Sequence, residues 1–171
     1  IQKSVGSKPR QVKPVLTKGK KLKRNTNDVM LQTNKATPSI FLINNSMNEN
    51  SKDPNKLSQE PAMLFTFREE LSDDYNEVYE LTNIPLNKWF NIAVCIHPRD
   101  VELYMDGNLL KTIHFESNLD FNKHPLNVGE LGGFDGSISK LAVMPYPISA
   151  SEVYRRFLSG FSTDDIDKKC T

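Results

Sequence analysis

An Asp-Gly pair set between two alternating runs constrains this chain more than any other feature. Val101, Leu103 and Met105 fall on one face of a strand, Glu102 and Tyr104 on the other, and Asp106-Gly107 follows at once. A two-residue type I′ turn needs positive φ at both central positions, and Asp-Gly is among the pairs that tolerate this best. The pair therefore predicts an antiparallel hairpin with one wet face, its return strand lying over residues 109–115. Asp106 is assigned to turn geometry rather than to ligand binding or catalysis. Just upstream, Phe90, Ile92, Val94 and Ile96 share one face of a run whose other face is Asn91, Ala93 and Cys95. Both faces are apolar or small, so this strand is expected at the centre of a sheet, covered on both sides. Trp89 opens it and is expected in the core.

The segments on either side extend the all-β pattern. Pro14 to Thr17, Val29 to Gln32, Ser39 to Ile43, Met63 to Phe67 and Glu77 to Leu81 read as short strands. Residues 44–60, dense in Asn, Ser, Lys and Pro, read as a long loop. Its Asn44-Asn45-Ser46 triplet matches a glycosylation acceptor, which matters only in a secretory pathway. After the hairpin, Leu126-Asn127-Val128-Gly129 predicts a short strand. Gly132-Gly133-Phe134-Asp135-Gly136 then makes a tight approach to a further strand over residues 137–143. Ser149-Ala150-Ser151-Glu152 is a capping-box pattern that starts a helix, with Val153, Tyr154, Phe157 and Leu158 on one face and Gly160 as its stop. The expected organisation is a basic extended arm over 1–14, a β-sandwich over 15–160 and a polar tail over 161–171.

Charge is split along the chain. The net charge is +1, yet the first 24 residues hold nine basic side chains and no acid. The other 13 basic residues face 21 acidic ones, a net of −8. A basic arm on an acidic body can meet phosphate, anionic lipid or an acidic protein surface. Lysines on an exposed strand edge also block aggregation, so a purely solvated arm is the plain alternative. Lys13, Lys18, Lys20, Lys21, Lys23 and Arg24 are the candidate partner-binding residues. The chain begins at Ile1 rather than Met, so an upstream piece is expected, and whether it holds a signal or a membrane anchor stays open.

Little in the sequence points to chemistry. The two cysteines, Cys95 in an apolar strand and Cys170 in the polar tail, follow no disulfide or metal spacing. Glu69-Glu70 and Asp73-Asp74 cluster carboxylates as calcium sites do, but without the spacing of a known calcium loop. They read as a solvated acidic loop. His97, His114 and His124 fall in a turn, a strand and a loop, and no nucleophile motif, phosphate loop or H-E-x-x-H run occurs. No cofactor and no metal are expected.

Taken in order, Trp89, Tyr104-Met105-Asp106-Gly107, Leu126-Asn127-Val128-Gly129, Gly133-Phe134-Asp135-Gly136-Ser137-Ile138 and Pro147-Ile148-Ser149-Ala150-Ser151-Glu152-Val153 resemble the laminin-G-like, concanavalin-A-like jelly-roll family. Val15-Leu16-Thr17-Lys18-Gly19 is similar to the family's earlier strand and glycine turn. The resemblance implies an all-β sandwich with a short C-terminal helix, in which Trp89, Asp106, Gly107, Gly133, Gly136 and Ser149 are structural. The family's first strands should lie upstream of Val15, where residues 1–13 have poor strand character; either they are missing or a partner completes the sheet. Some concanavalin-A-like folds are glucanases, which place Glu, Asp and Glu on alternate positions of one strand. No E-x-D-x-x-E run occurs here, so the chain is read as no enzyme. The wording is closest to domains encoded by large DNA viruses. That implies a non-catalytic minor capsid or membrane-associated protein of the virion, with capsid proteins or an anionic membrane surface as partners. The alternative is a secreted or surface lectin-like domain binding glycan or protein. Nucleic acid is disfavoured as a partner, because the body is acidic and offers no aromatic platform.

Overall fold

Eight strands pair into two antiparallel sheets in the computed structural model, which describes residues 12–22, 37–43, 61–70 and 77–161. The strands are β1 (Val12–Lys18), β2 (Ser39–Ile43), β3 (Ala62–Phe67), β4 (Glu77–Leu81), β5 (Ile92–Ile96), β6 (Asp100–Met105), β7 (Asn108–His114) and β8 (Leu126–Val128). A 3₁₀ turn (Glu130–Gly132) follows β8, and one helix, α1 (Ala150–Leu158), closes the described chain. Two sheets with a short C-terminal helix are the all-β, concanavalin-A-like jelly-roll class that the sequence implied. The chain divides into two compact units: residues 1–84 with 120–134, and residues 85–119 with 135–171. The expected strand over 29–32, the loop over 44–60, Asp73-Asp74 and Cys170 lie outside the described residues.

The first unit holds the five-stranded sheet, ordered β4-β3-β2-β1-β8. All six residues of β3 are buried, as expected for an inner strand that is apolar on both faces. Phe41, Ile43, Ala62 and Leu64 form its core cluster, and Val12 and Leu22 pack against it. Burying side chains of this size contributes about 1.5–3 kcal/mol each. One level of the sheet is polar instead: Thr17 pairs with Ser39, and Ser39 with Thr66, all three buried. The Thr66 hydroxyl has no hydrogen-bond partner among the described residues. β1 starts at Val12, so Val12, Lys13 and Pro14 belong to the sheet and not to an arm.

The second unit holds β5-β6-β7. Asp106 and Gly107 sit at φ 49° and 78°, both left-handed, as the turn requires. The Asp106 carboxylate accepts from the Asn91 backbone N–H at 2.8 Å, and a Cβ added at Gly107 would lie 2.8 Å from the Tyr154 ring. The helix therefore closes over the turn. Ser149 caps it, its hydroxyl accepting from the Glu152 N–H at 3.3 Å, and Gly160 at φ 65° ends it. Glu152 does not reach back to complete the capping box. It binds Arg155 and Arg156, and the Arg155 guanidinium leads in holding its carboxyl below the usual range.

Four expectations are corrected in this unit. β5 is an edge strand and β6 is the central one, because among the described residues only β6 pairs with β5. The supposed wet face of β6 is covered at Tyr104, which stays on the Glu102 side of the strand and packs in a cluster with Cys95 of β5 and Val153 of α1. Residues 137–143 form no strand: Lys140 turns left-handed at φ 52° and interrupts the extended run, leaving Val143 73% exposed. Trp89 precedes β5 by three residues and is 40% exposed rather than in the core.

Two substitutions check the first sheet by thermal denaturation. Phe41→Ala should cost about 3–5 kcal/mol, since Phe41 is fully buried. Thr66→Val should raise stability by about 1 kcal/mol, because it replaces an unsatisfied buried hydroxyl with a methyl of similar shape.

Candidate binding site

The polypeptide leaving β1 meets the turn after β8 in an open depression of about 430 Å³. Its walls are Lys21, Leu22, Asn127, Val128, Glu130 and Leu131. Three contacts build it. Thr17 donates its hydroxyl hydrogen to one Glu130 carboxylate oxygen, and the Leu22 backbone N–H donates to the other at 3.1 Å. The Asn127 side-chain amide donates to the Gly19 carbonyl at 3.0 Å. Both segments are thus pinned, and the groups left to face a ligand are the exposed Lys21 and Val128 and the half-buried Leu131.

The turn that shapes the depression is strained. Gly129, Gly132 and Gly133 have positive φ, which costs glycine little, but Leu131 also sits at φ 55°. A left-handed leucine costs about 1–2 kcal/mol. Such strain persists only where the surroundings over-determine it, which is common at binding sites. A Cβ on Gly133 would approach the Gly129 Cα to 3.1 Å, so this glycine serves close backbone packing. Gly136 lies in an exposed bend.

The expected basic residues divide. Lys13 is half-buried in β1 opposite Leu42. Lys18 is an internal clasp: its ammonium donates to the carbonyls of Asn122 and His124 at 2.8 Å each, while Asn122 returns a bond to the Lys18 carbonyl. It is therefore not offered to a partner. Lys20 and Lys21 are exposed, and Lys21 lines the depression. Lys23 and Arg24 lie outside the described residues. Sequence reasoning missed Leu22, Asn127, Val128, Glu130 and Leu131. The glycines around Leu131 were a visible signal for a special turn, but nothing local marked Glu130 as the pin.

The described titratable groups mostly serve structure. Asp100 pairs with His114 and Asp120 with Arg68. Glu102 accepts from the Tyr104 hydroxyl at 2.8 Å, with His97 at 3.8 Å. Burial and then the Glu102 contact push the Tyr104 phenol up to about 12. Burial raises the free Cys95 thiol too, and that thiol donates weakly to the Ile148 carbonyl at 3.7 Å. Among the described residues no three metal-binding side chains cluster. Glu69 and Glu70 fall at the end of the segment after β3, and no strand or loop there brings a third carboxylate to them among the described residues.

Residues 27–154 match the family model of the concanavalin A-like lectin/glucanases superfamily, of the laminin-G type. The chain belongs to this superfamily. No curated protein and no solved structure matches it. Laminin-G-type members of the superfamily are carbohydrate- or protein-binding modules and are generally non-catalytic. The matched span begins after β1, so Lys20, Lys21 and Leu22 precede it while Asn127 to Leu131 fall within it. The depression thus has residues from before the matched span on one side and residues within it on the other.

The Tyr104 phenol gives a pH test. Its pKa is raised in the fold, so the neutral form is favoured there. The corresponding stability is complete below pH 10 and is lost as pH rises toward about 12. Tyr104→Phe should remove that alkaline loss and cost about 0.5–1.5 kcal/mol at neutral pH. Urea midpoints at several pH values check both.

Proposed function

We propose that the chain is a non-catalytic binding module carried on the virion of a large DNA virus, as a minor capsid or membrane-associated protein. Its basic N-terminal stretch holds the partner, either another capsid protein or an anionic membrane surface. What most supports a binding role is the placement of Lys20 and Lys21, exposed where the polypeptide leaves β1 beside an open, strained depression. The virion assignment rests on the motif resemblance and on the split between a basic start and an acidic remainder. Engagement of Glu102, Asp106, Glu130 and Glu152 in turns, pins and helix pairs also favours binding over carboxylate catalysis.

β1 limits how the test is made. Removing residues 1–24 would delete an inner strand and unfold the first sheet. Removing residues 1–11 leaves β1 whole and takes away Lys3, Lys8 and Arg10. Each basic residue near an anionic surface contributes about 1 kcal/mol. The shortened chain, and separately Lys20→Glu with Lys21→Glu, should co-sediment with capsids or anionic vesicles at least about tenfold more weakly at low salt. Undiminished association of both variants would rule out the basic stretch as the contact.

A second reading, a lectin-like surface domain, draws on the exposed Trp89 stacked on Phe161. Sugar rings stack on such aromatics, and hits on a glycan array that Trp89→Ala abolishes would favour it.

A further inference from the structure

The loop before β5 and the end of α1 carry exposed apolar side chains that the basic stretch does not explain. The Trp89 and Phe161 rings stack with centroids 4.7 Å apart and planes 14° apart. Leu86 lies three residues before Trp89, and Leu158 three before Phe161; both are more than 60% exposed. Tyr154, one helical turn before Leu158, is also exposed. All of these residues belong to the second unit.

The charges within the loop before β5 and along α1 past Glu152 are basic, and the acids Asp164 and Asp165 enter only after Phe161. Lys88, Arg155 and Arg156 are exposed, and no carboxylate occurs in residues 85–90 or 153–161. The nearest acid, Glu152, is held by the two arginines. This contrasts with the rest of the chain beyond residue 24, which is acidic overall. Leucine and aromatic side chains interleaved with cations fit the boundary between anionic headgroups and acyl chains, where Trp and Tyr rings are at home. A sugar platform would need several amides or carboxylates beside the ring, whereas Asn87 is the one amide in residues 85–90.

We propose that the Trp89–Phe161 stack, with Leu86, Tyr154 and Leu158, is a face that inserts shallowly into an anionic lipid surface, Lys88, Arg155 and Arg156 meeting the headgroups. The inference rests on the membrane-associated form of the function proposed above and names where the membrane would be touched. Shallow insertion of a few such side chains is weak alone and works together with a basic stretch.

Trp89 is the sole tryptophan, so its fluorescence reports this face directly. The full chain is mixed with vesicles of phosphatidylcholine and phosphatidylserine, and with phosphatidylcholine alone. Emission should move to shorter wavelength on the anionic vesicles and be quenched by brominated acyl chains. Leu158→Ser with Phe161→Ser keeps the reporter and every charge, and should weaken vesicle binding at least about tenfold. Lys88→Glu, an exposed loop change, should weaken it without touching the helix, and thermal melts confirm that each variant is folded. Unchanged Trp89 emission on vesicles that the chain co-sediments with would overturn the inference while leaving the basic stretch as the membrane contact. An emission response to oligosaccharides with none to vesicles would overturn it in favour of a glycan site. Persistent Trp89 quenching after removal of residues 1–11, with capsid association lost, would uphold this face.

Discussion

Strand β1 lies between β2 and β8, and the Lys18 ammonium closes that arrangement by donating to the carbonyl oxygens of Asn122 and His124. Hydrogen bonds with a charged donor contribute on the order of 1.5–3 kcal/mol each, more than neutral ones. They tie the first described strand to a segment more than a hundred residues later in the chain. Thr17 and Leu22 add a second tie through the Glu130 carboxylate. With both ties in place, β8 has a partner, the turn after it has a fixed entry, and Leu131 can be held left-handed. The depression is the consequence of these bonds. Without them, three residues of β8 would be too short to pair stably.

The same ties explain why the basic stretch is not one functional surface. A lysine in a strand alternates in direction with its neighbours, and its surroundings decide whether it is solvated or used. Lys18 meets two carbonyls that no water then needs to satisfy, whereas Lys20 and Lys21 follow a glycine that leaves the sheet. Counting charges along the sequence could not separate them, because the carbonyls come from residues 122 and 124.

What was legible in the sequence was what local chemistry decides. Asp106-Gly107 demanded left-handed backbone, and Ser149 offered an acceptor to a helix N-terminus; both are satisfied within four residues. The core strands were legible from apolar pattern alone. What was hidden depends on distant partners. The run over 90–96 looks central because both faces are apolar, but whether a strand is inner or outer depends on which neighbour pairs with it. Residues 137–143 alternate well enough for a strand, yet one left-handed residue at Lys140, whose ammonium donates to the Ser159 carbonyl, redirects them. Trp89 was assigned to the core because it opens a strand, and its ring instead stacks on Phe161, three residues past the end of α1.

That last contact bears on how a binding module can be selective. A flat charged surface attracts any opposite charge and discriminates little. Apolar side chains add a requirement for a partner that can desolvate them, and a stacked pair of rings holds them ready at small entropic cost. The chain keeps both kinds of contact apart in sequence: cations concentrated before residue 25, and, among its exposed leucines and aromatics, the Trp89–Phe161 pair with Leu86, Tyr154 and Leu158. The first kind weakens with salt and the second does not. Binding that demands both would be strong only where an anionic surface also offers apolar depth, which is a narrower condition than either charge or hydrophobicity sets alone.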